Sequence, residues 1–402
     1  MQIEEQCLGG DDVADLIRRD LRPHFDTLVQ RRSTRELESC AIYRGLENRF
    51  RLALETVHTG RFALPDPGPK PAYRILAWNI ERGKELRGQI EMFRGHGYLK
   101  DCDVLLLTET DAGMVRSGNT DVARTLASEL GFDYAFSPCY LSLVNGSGLE
   151  RELDGRNDLG LHGNAILSRY PMRGVRRIPL RNGIDKMASN EKRLGNQTAL
   201  AATIEFPGHP VTAVCVHLDA NSSQRHRMEQ MSDIVDAIPE SGPVLLGGDW
   251  NTTTYNSSTA FHAIMGYWLR VFMGPERVIK RHFLHPYRWF ERELFQMIEQ
   301  RGFDYRGCNL EGEHTIFYGL ADPGQNKALR EWVPGWCFPF IRWALRNTNG
   351  GCPLKIDWFA ARSLACANPQ VLHDVNTGPR GPLSDHDAIG VEIIPARSTH
   401  GN

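Results

Sequence analysis

From residue 73 onward the chain is written in short β-type runs, most of them closed by a polar side chain able to do chemistry. "YRILAWN" leads to Asn79 and Glu81, "DVLLLTE" ends in Glu109, and "PVTAVCVHLD" carries His217. "PVLLGGDWN" closes with Asp249 and Asn251, and "LKIDWFAAR" carries Asp357. The closing run "AIGVEII" is preceded by Ser384, Asp385 and His386. "GNAILS" and "QTALAATIEF" have the same β texture, and helical stretches near 121–130 and 222–237 fall between the runs. Strands and helices mixed in this order predict two packed sheets with helices outside, an α/β (α+β) sandwich.

Singly, each polar residue has a structural explanation. Asn and Asp form turns and cap helices, a glutamate at a strand end can simply be solvated, and a strand histidine is most often a satisfied core residue. Recurrence at strand ends argues otherwise. Strand ends converge on one rim, where rigid backbone holds functional groups in place.

The first 63 residues read as a helical extension. Val13, Leu16, Ile17, Leu21, Phe25 and Leu28 recur at helical spacing over 12–29, with Pro23 as a kink, and a second helix is predicted over 34–58. Residues 64–72, "LPDPGPKPA", form a Pro-rich linker, and residues 73–396 form the main domain, interrupted by an insertion over 255–350. A formal net charge of −2 leaves no global field to gather polyanions, so any phosphate binding must be local. Nine scattered cysteines without a C-x-x-C pair read as reduced thiols. No stretch reaches the roughly 18 apolar residues of a membrane span. These features predict a soluble, cytoplasmic protein without stable membrane insertion.

In order and wording, Asn-x-Glu, a second-strand Glu, a strand-borne His, "GGDWN", a strand Asp and "LSDHDAI" resemble the endonuclease/exonuclease/phosphatase superfamily over 73–252 and 353–395. The resemblance implies a DNase I-like four-layer α/β/β/α sandwich of two mixed sheets and a metal-dependent phosphoesterase. Glu109 is then the principal metal ligand with Asn79 beside it, and Glu81 and Asp385 complete or support the shell. Hard oxygen donors argue for Mg²⁺ or Mn²⁺ over zinc. By the same resemblance Asp249 orients or deprotonates the attacking water, and Asn251 donates to a phosphoryl oxygen. His386, kept charged by Asp357, hydrogen-bonds the phosphate, and His217 serves the leaving group as general acid or donor. Gly163, Gly247 and Gly248 are expected to allow close backbone packing and to carry no chemistry.

The branch is not set by these motifs. The P-x-W-C-D-R signature of inositol-polyphosphate 5-phosphatases is absent, and "LTETD" and "LKIDWF" depart from the Q-E-T-K and W-R-x-D-Y of abasic-site endonucleases. A phosphate ester is the expected substrate, diester ahead of monoester, with nucleic acid among the candidates and a sphingomyelinase-like lipid phosphodiesterase as the rival. A non-catalytic binding module is disfavoured because the rim residues are all present. Half of the chain's Phe, Tyr and Trp residues lie between 261 and 343, with Arg270, Arg277, Lys280, Arg281, Arg288 and Arg292 among them. A helical cap that buries its own aromatics is favoured over a base-stacking surface. "WVPGWCFPFIRWALR", with Trp332 and Trp336, suits a lipid interface.

Overall fold

In the computed structural model, the described residues are 9–64, 67–252, 256, 259–319, 339, 342, 343, 345, 346, 348, 351–379 and 381–394. Trp332 and Trp336 lie outside them. Two large sheets stack face to face. The first has eight strands, in spatial order His58–Gly60, Asp133–Ser142, Leu161–Ser168, Val104–Ala112, Tyr73–Arg82, Ala388–Ile394 and Ala365–Leu372, with Arg193–Gly195 also paired to Asp133–Ser142. The second has five: Asp357–Arg362, Val244–Asp249, His209–His217, Thr198–Phe206 and Met172–Pro179. Each contains one parallel pair, Tyr73–Arg82 with Val104–Ala112 and His209–His217 with Val244–Asp249.

Alternation along the strands builds the layers. Ile75 and Ala77 point to the cluster between the sheets, where they join Leu106, Leu200, Cys215, Leu245 and Phe359. Leu76, Trp78 and Ile80 point the other way, onto Phe93 of helix Leu86–Gly95 and Leu126 of helix Val122–Leu130. On the far side Val214, Val216, Leu246 and Trp358 pack against Ile234 of helix Gln224–Ala237 and against Phe295 and Ile298 of helix Arg292–Gln300. Each such fully buried side chain contributes about 1.5–3 kcal/mol, which is why a period of two selects this register. The result is the four-layer DNase I-like arrangement.

At the N-terminus the expected single helix over 12–29 is subdivided. Gly10–Leu16 passes into a π-type turn, Ile17–Leu21, then a 3₁₀ turn, Arg22–His24, before Phe25–Leu28. Pro23 cannot donate a backbone hydrogen bond and crowds the preceding turn, so the regular ladder stops there. The second helix divides at the extended residue Cys40 into Thr34–Ser39 and Ala41–Glu55, and His58–Gly60 is a strand on Asp133–Ser142. Val13, Ile17, Leu21 and Phe50 share one core with Leu76 and Trp78.

Other strands lacked a readable signal. Met172–Pro179 carries three arginines on an edge, and Ala365–Leu372, also an edge, contains Pro369 and a register shift. Both devices blunt a sheet edge and erase the apolar alternation that identifies a strand. Within the insertion, Tyr287, Phe295 and Tyr305 cluster around Trp358. Arg288 lies over Tyr287 and Arg270 over Phe283, so these guanidinium groups are stacked on the insertion's own rings. Among the described residues the cysteines are free thiols, and no helix is long and apolar enough to cross a membrane.

Candidate active site

The register of the second sheet places Asp249 opposite both His217 and Asp357, so three candidates emerge in one row at the ends of adjacent strands. Glycines make the row possible. A Cβ on Gly248, which sits at φ +137°, would lie 2.2 Å from the Val216 carbonyl oxygen, and one on Gly247 would lie 2.5 Å from the Phe359 ring. Gly163 is equally tight, 2.0 Å from the Ser137 carbonyl oxygen.

The first sheet closes over this row. Asn79 Nδ2 donates to Asp249 Oδ2 at 3.1 Å and lies 3.5 Å from His386 Nε2. Ser384 fastens the last loop: its hydroxyl donates to the Asn79 carbonyl at 2.6 Å and accepts from the His386 N–H at 3.1 Å. Trp78 Nε1 donates to the His386 carbonyl at 2.9 Å. His386 Nδ1 meets Asp357 Oδ2 at 2.9 Å, leaving Nε2 toward Asp249 Oδ2 at 3.9 Å. His386, at the mouth of the last strand, therefore has partners drawn from both sheets. His217 Nε2 is 3.6 Å from Asp249 Oδ2.

Backbone conformation singles out three candidates. Glu81, Glu109 and Asn251 have φ of 46°, 54° and 49°, a left-handed region that costs non-glycine residues energy and collects at functional sites. At the first two the ladder slips, between Asn79 and Arg82 and between Leu107 and Thr110, which turns the carboxylates out of the sheet. Asn251 is held by its N–H to Asp249 Oδ1 at 2.8 Å, and its Nδ2 donates to the Leu218 carbonyl and to Asp249.

Electrostatics separate the groups. Burial favours a neutral His386, but contact with Asp357 and Asp249 overrides it and raises the imidazole well above its usual value. His217 lies 3.6 Å from Asp249 Oδ2, well beyond the 2.9 Å of the His386–Asp357 contact, and burial lowers it to about 4 despite Glu109. Burial raises Asp249; His386 opposes this and Asp357 adds to it. Glu109 stays far below the usual carboxylate range, because Arg82, at 3.6 Å, and the surrounding histidines outweigh its desolvation. Asp385 is raised by burial, against His386, and further by Glu81 and Glu109. Glu109 is paired with Arg82 and Glu81 with Lys84, 3.0 Å away, whereas one ligand-type atom from each of Asp249, Asp357 and His386 lies within 4.8 Å of the others.

Several residues at the site carried no legible signal. Tyr318, on strand Ile316–Gly319, keeps 38% of its surface exposed, and its phenol is raised by desolvation and by the charges of Asp385, Asp249 and Glu109. Thr315 Oγ1 accepts from the Ile356 and Asp357 N–H groups at 3.1 Å each, fixing the start of that strand. Behind Glu109, Arg82 and Lys84 both reach Glu150 at 2.9 Å; Arg116 pairs with Glu150 and binds Asp111 in bidentate fashion, and His162 Nδ1 lies 2.8 Å from Asp111. Glu150, Asp111 and Arg116 are far apart or unpatterned in the sequence, and only folding reveals the chain of charges.

The architecture is shared with known structures. An endonuclease/exonuclease/phosphatase from Beutenbergia cavernae DSM 12333 superposes with a TM-score of 0.50 at 17% identity, covering 81% of this chain and 72% of that one. A family protein from Leptotrichia buccalis C-1013-b gives 0.48 at 12% identity, covering 80% and 99%. No curated protein matches the sequence. Residues 76–386 match the endonuclease/exonuclease/phosphatase family, and the chain belongs to that family of phosphate-ester hydrolases.

Proposed function

We propose that this hydrolase is a Mg²⁺- or Mn²⁺-dependent phosphodiesterase in which water attacks phosphorus. The supporting observation is the buried set Asn79, Asp249, Asn251, Asp357 and His386, joined by direct hydrogen bonds between strands of both sheets. A cation held by Glu109, with Asn79, Glu81 and Asp385, would neutralise charge developing on the phosphoryl oxygens. Asp249, already more basic than an ordinary aspartate, takes the proton of the attacking water. His386, held charged by Asp357, donates Nε2–H to the phosphoryl group. Asn251 adds a donor there by exchanging one of its present contacts, to Leu218 or Asp249. His217 stands beside Asp249 as the donor for the leaving oxygen.

A diester fits the charge balance better than a monoester. Even with a cation on Glu109 and Glu81, Arg82 and Lys84 both stay paired with Glu150, so among the described residues neither is released to meet a dianion. A panel of bis-aryl phosphate, single-stranded DNA and RNA, nicked plasmid, inositol phosphates and choline phosphodiesters, with Mg²⁺ or Mn²⁺, tests this reading. Diester cleavage abolished by a chelator is expected; turnover of monoesters alone would overturn it.

One observation favours a second reading, a lipid-headgroup diester. Helix Ala260–Met273 exposes Phe261, Ile264, Met265, Leu269 and Phe272, with Phe272 83% accessible. A contiguous apolar face of this kind suits a bilayer surface.

A further inference from the structure

A second group of ligand-type side chains lies outside the rim chemistry. Glu313 and His314 precede strand Ile316–Gly319 of the insertion, and His373 opens the turn His373–Asn376. Donor atoms of all three lie within 4.8 Å of one another. The imidazoles of His314 and His373 stack with centroids 4.6 Å apart, and His373 Nε2 is 3.6 Å from Glu313 Oε2. The other ring nitrogen is already engaged: His373 Nδ1 meets Asp387 Oδ2 at 2.7 Å, while Asp387 Oδ1 accepts from Asn376 Nδ2 at 2.9 Å. A carboxylate behind a histidine fixes the tautomer and turns the free nitrogen outward, the arrangement that orients metal-ligating histidines.

We infer that Glu313, His314 and His373 form a transition-metal site of the His₂Glu type, suited to Zn²⁺, with Asp387 orienting His373. Two nitrogen donors and one carboxylate match zinc and disfavour Mg²⁺, whereas the Glu81, Glu109 and Asp385 oxygens at the rim favour the hard cation. Tetrahedral zinc with bonds of about 2.0–2.1 Å wants donors roughly 3.3 Å apart. Glu313 and His373 are exposed, so Glu313 can close on His373 Nε2 while His373 keeps its contact with Asp387. Opposing the ion is Lys355, whose ammonium acts on His314 and is itself drawn by Glu313.

The site would join two distant parts of the chain. The Asp387 N–H donates to the Thr315 carbonyl at 2.8 Å, and Ile316 bridges to His386, so the ion would clamp the base of the insertion to the loop carrying His386. A three-ligand site also leaves one coordination position open to solvent or to a substrate group.

The test is equilibrium dialysis of the chelator-stripped full chain against micromolar Zn²⁺ with excess Mg²⁺, followed by elemental analysis, with Co²⁺ absorption as a report on coordination. Wild type and Glu109→Gln are expected to hold one equivalent, with tetrahedral Co²⁺ bands. His314→Ala and His373→Ala should lose it, Asp387→Asn should weaken it by about 10–100-fold, and Lys355→Met should tighten it. His373→Gln, a conservative change at an exposed position, guards against misfolding as the cause of loss. Wild type without bound Zn²⁺, or both alanine variants retaining the equivalent, would overturn the assignment.

Discussion

Two buried histidines show how differently the rim and the segments added around it are built. His386 at the rim and His58 in the N-terminal strand are 5% and 3% exposed, yet their proton affinities move in opposite directions. His386 is raised because Asp357 and Asp249 contact it, whereas desolvation lowers His58 to about 4 with only Asp11 opposing. Burial alone therefore does not decide a histidine's charge; the direct hydrogen bond to Asp357 overrides it at His386. The rim sets buried carboxylates against histidine and arginine and also against one another. The added segments bury mainly apolar groups, with Arg227–Glu291 as a fully buried ion pair tying the insertion to helix Gln224–Ala237.

The sharpest way to break this contrast is at Glu109. Glu109→Gln removes the charge that pairs with Arg82 and that we propose holds a cation, so turnover should fall by several kcal/mol of transition-state stabilisation. Asn251→Ala should lose about 100- to 1,000-fold in kcat. Steady-state kinetics with Mg²⁺ check both, with Tm as a control. Near-wild-type turnover of Glu109→Gln would remove the cation role.

The next effect concerns stability. Arg227→Met leaves Glu291 buried without its guanidinium, which typically costs about 3–5 kcal/mol. Urea unfolding should show that loss. A shift within error would mean the insertion is not integral to the second sheet's outer layer.

What was legible in the sequence follows the same division. Glu109, Asp249 and Asn251 were visible because each ends a β-type run, and His386 because it stands just before the last one; strand ends meet at a rim by geometry. Asn79 was visible as another run end and Ser384 only as a member of its motif, while the Asn79–Asp249 bond across the sheets and the Ser384 bonds to Asn79 and His386 required the fold. Tyr318 and Thr315 were hidden because an aromatic-rich insertion has no period that says which rings pack and which face the site. Tyr287 and Phe295 became core, while Phe261 and Phe272 remained exposed, from the same composition. The edge strands were lost to their own protective arginines and proline.

His58 gives a smaller, pH-dependent effect. Its folded value of about 4 lies below the 6.5 of the unfolded chain, so the unfolded state takes up the proton first. The resulting stability is fully present above pH 6.5 and is lost as pH falls from there toward 4, in total about 3 kcal/mol. His58→Leu, packed against Phe136, should flatten that slope. Urea midpoints at pH 7 and pH 5 decide the matter: equal losses in wild type and variant would show that other groups dominate acid sensitivity.

Two aromatics within one insertion should differ, and the exposed one gives the smallest effect on stability. Phe295 is buried between Trp250, Tyr305 and Trp358, so Phe295→Ala should cost about 3–5 kcal/mol. Phe272 is 83% exposed, and Phe272→Ser, alone or with Phe261→Ser, should change stability by no more than about 0.5 kcal/mol. Its consequence lies elsewhere. If the helix face meets a bilayer, the double variant keeps full turnover of soluble bis-aryl phosphate while losing co-sedimentation with phosphatidylcholine vesicles and turnover of choline phosphodiesters presented in them. If it does not, both proteins behave alike toward vesicles, and the lipid reading fails while the phosphodiesterase reading stands on the soluble substrate. A large loss of stability would instead make Phe272 part of the core and erase the contrast with Phe295.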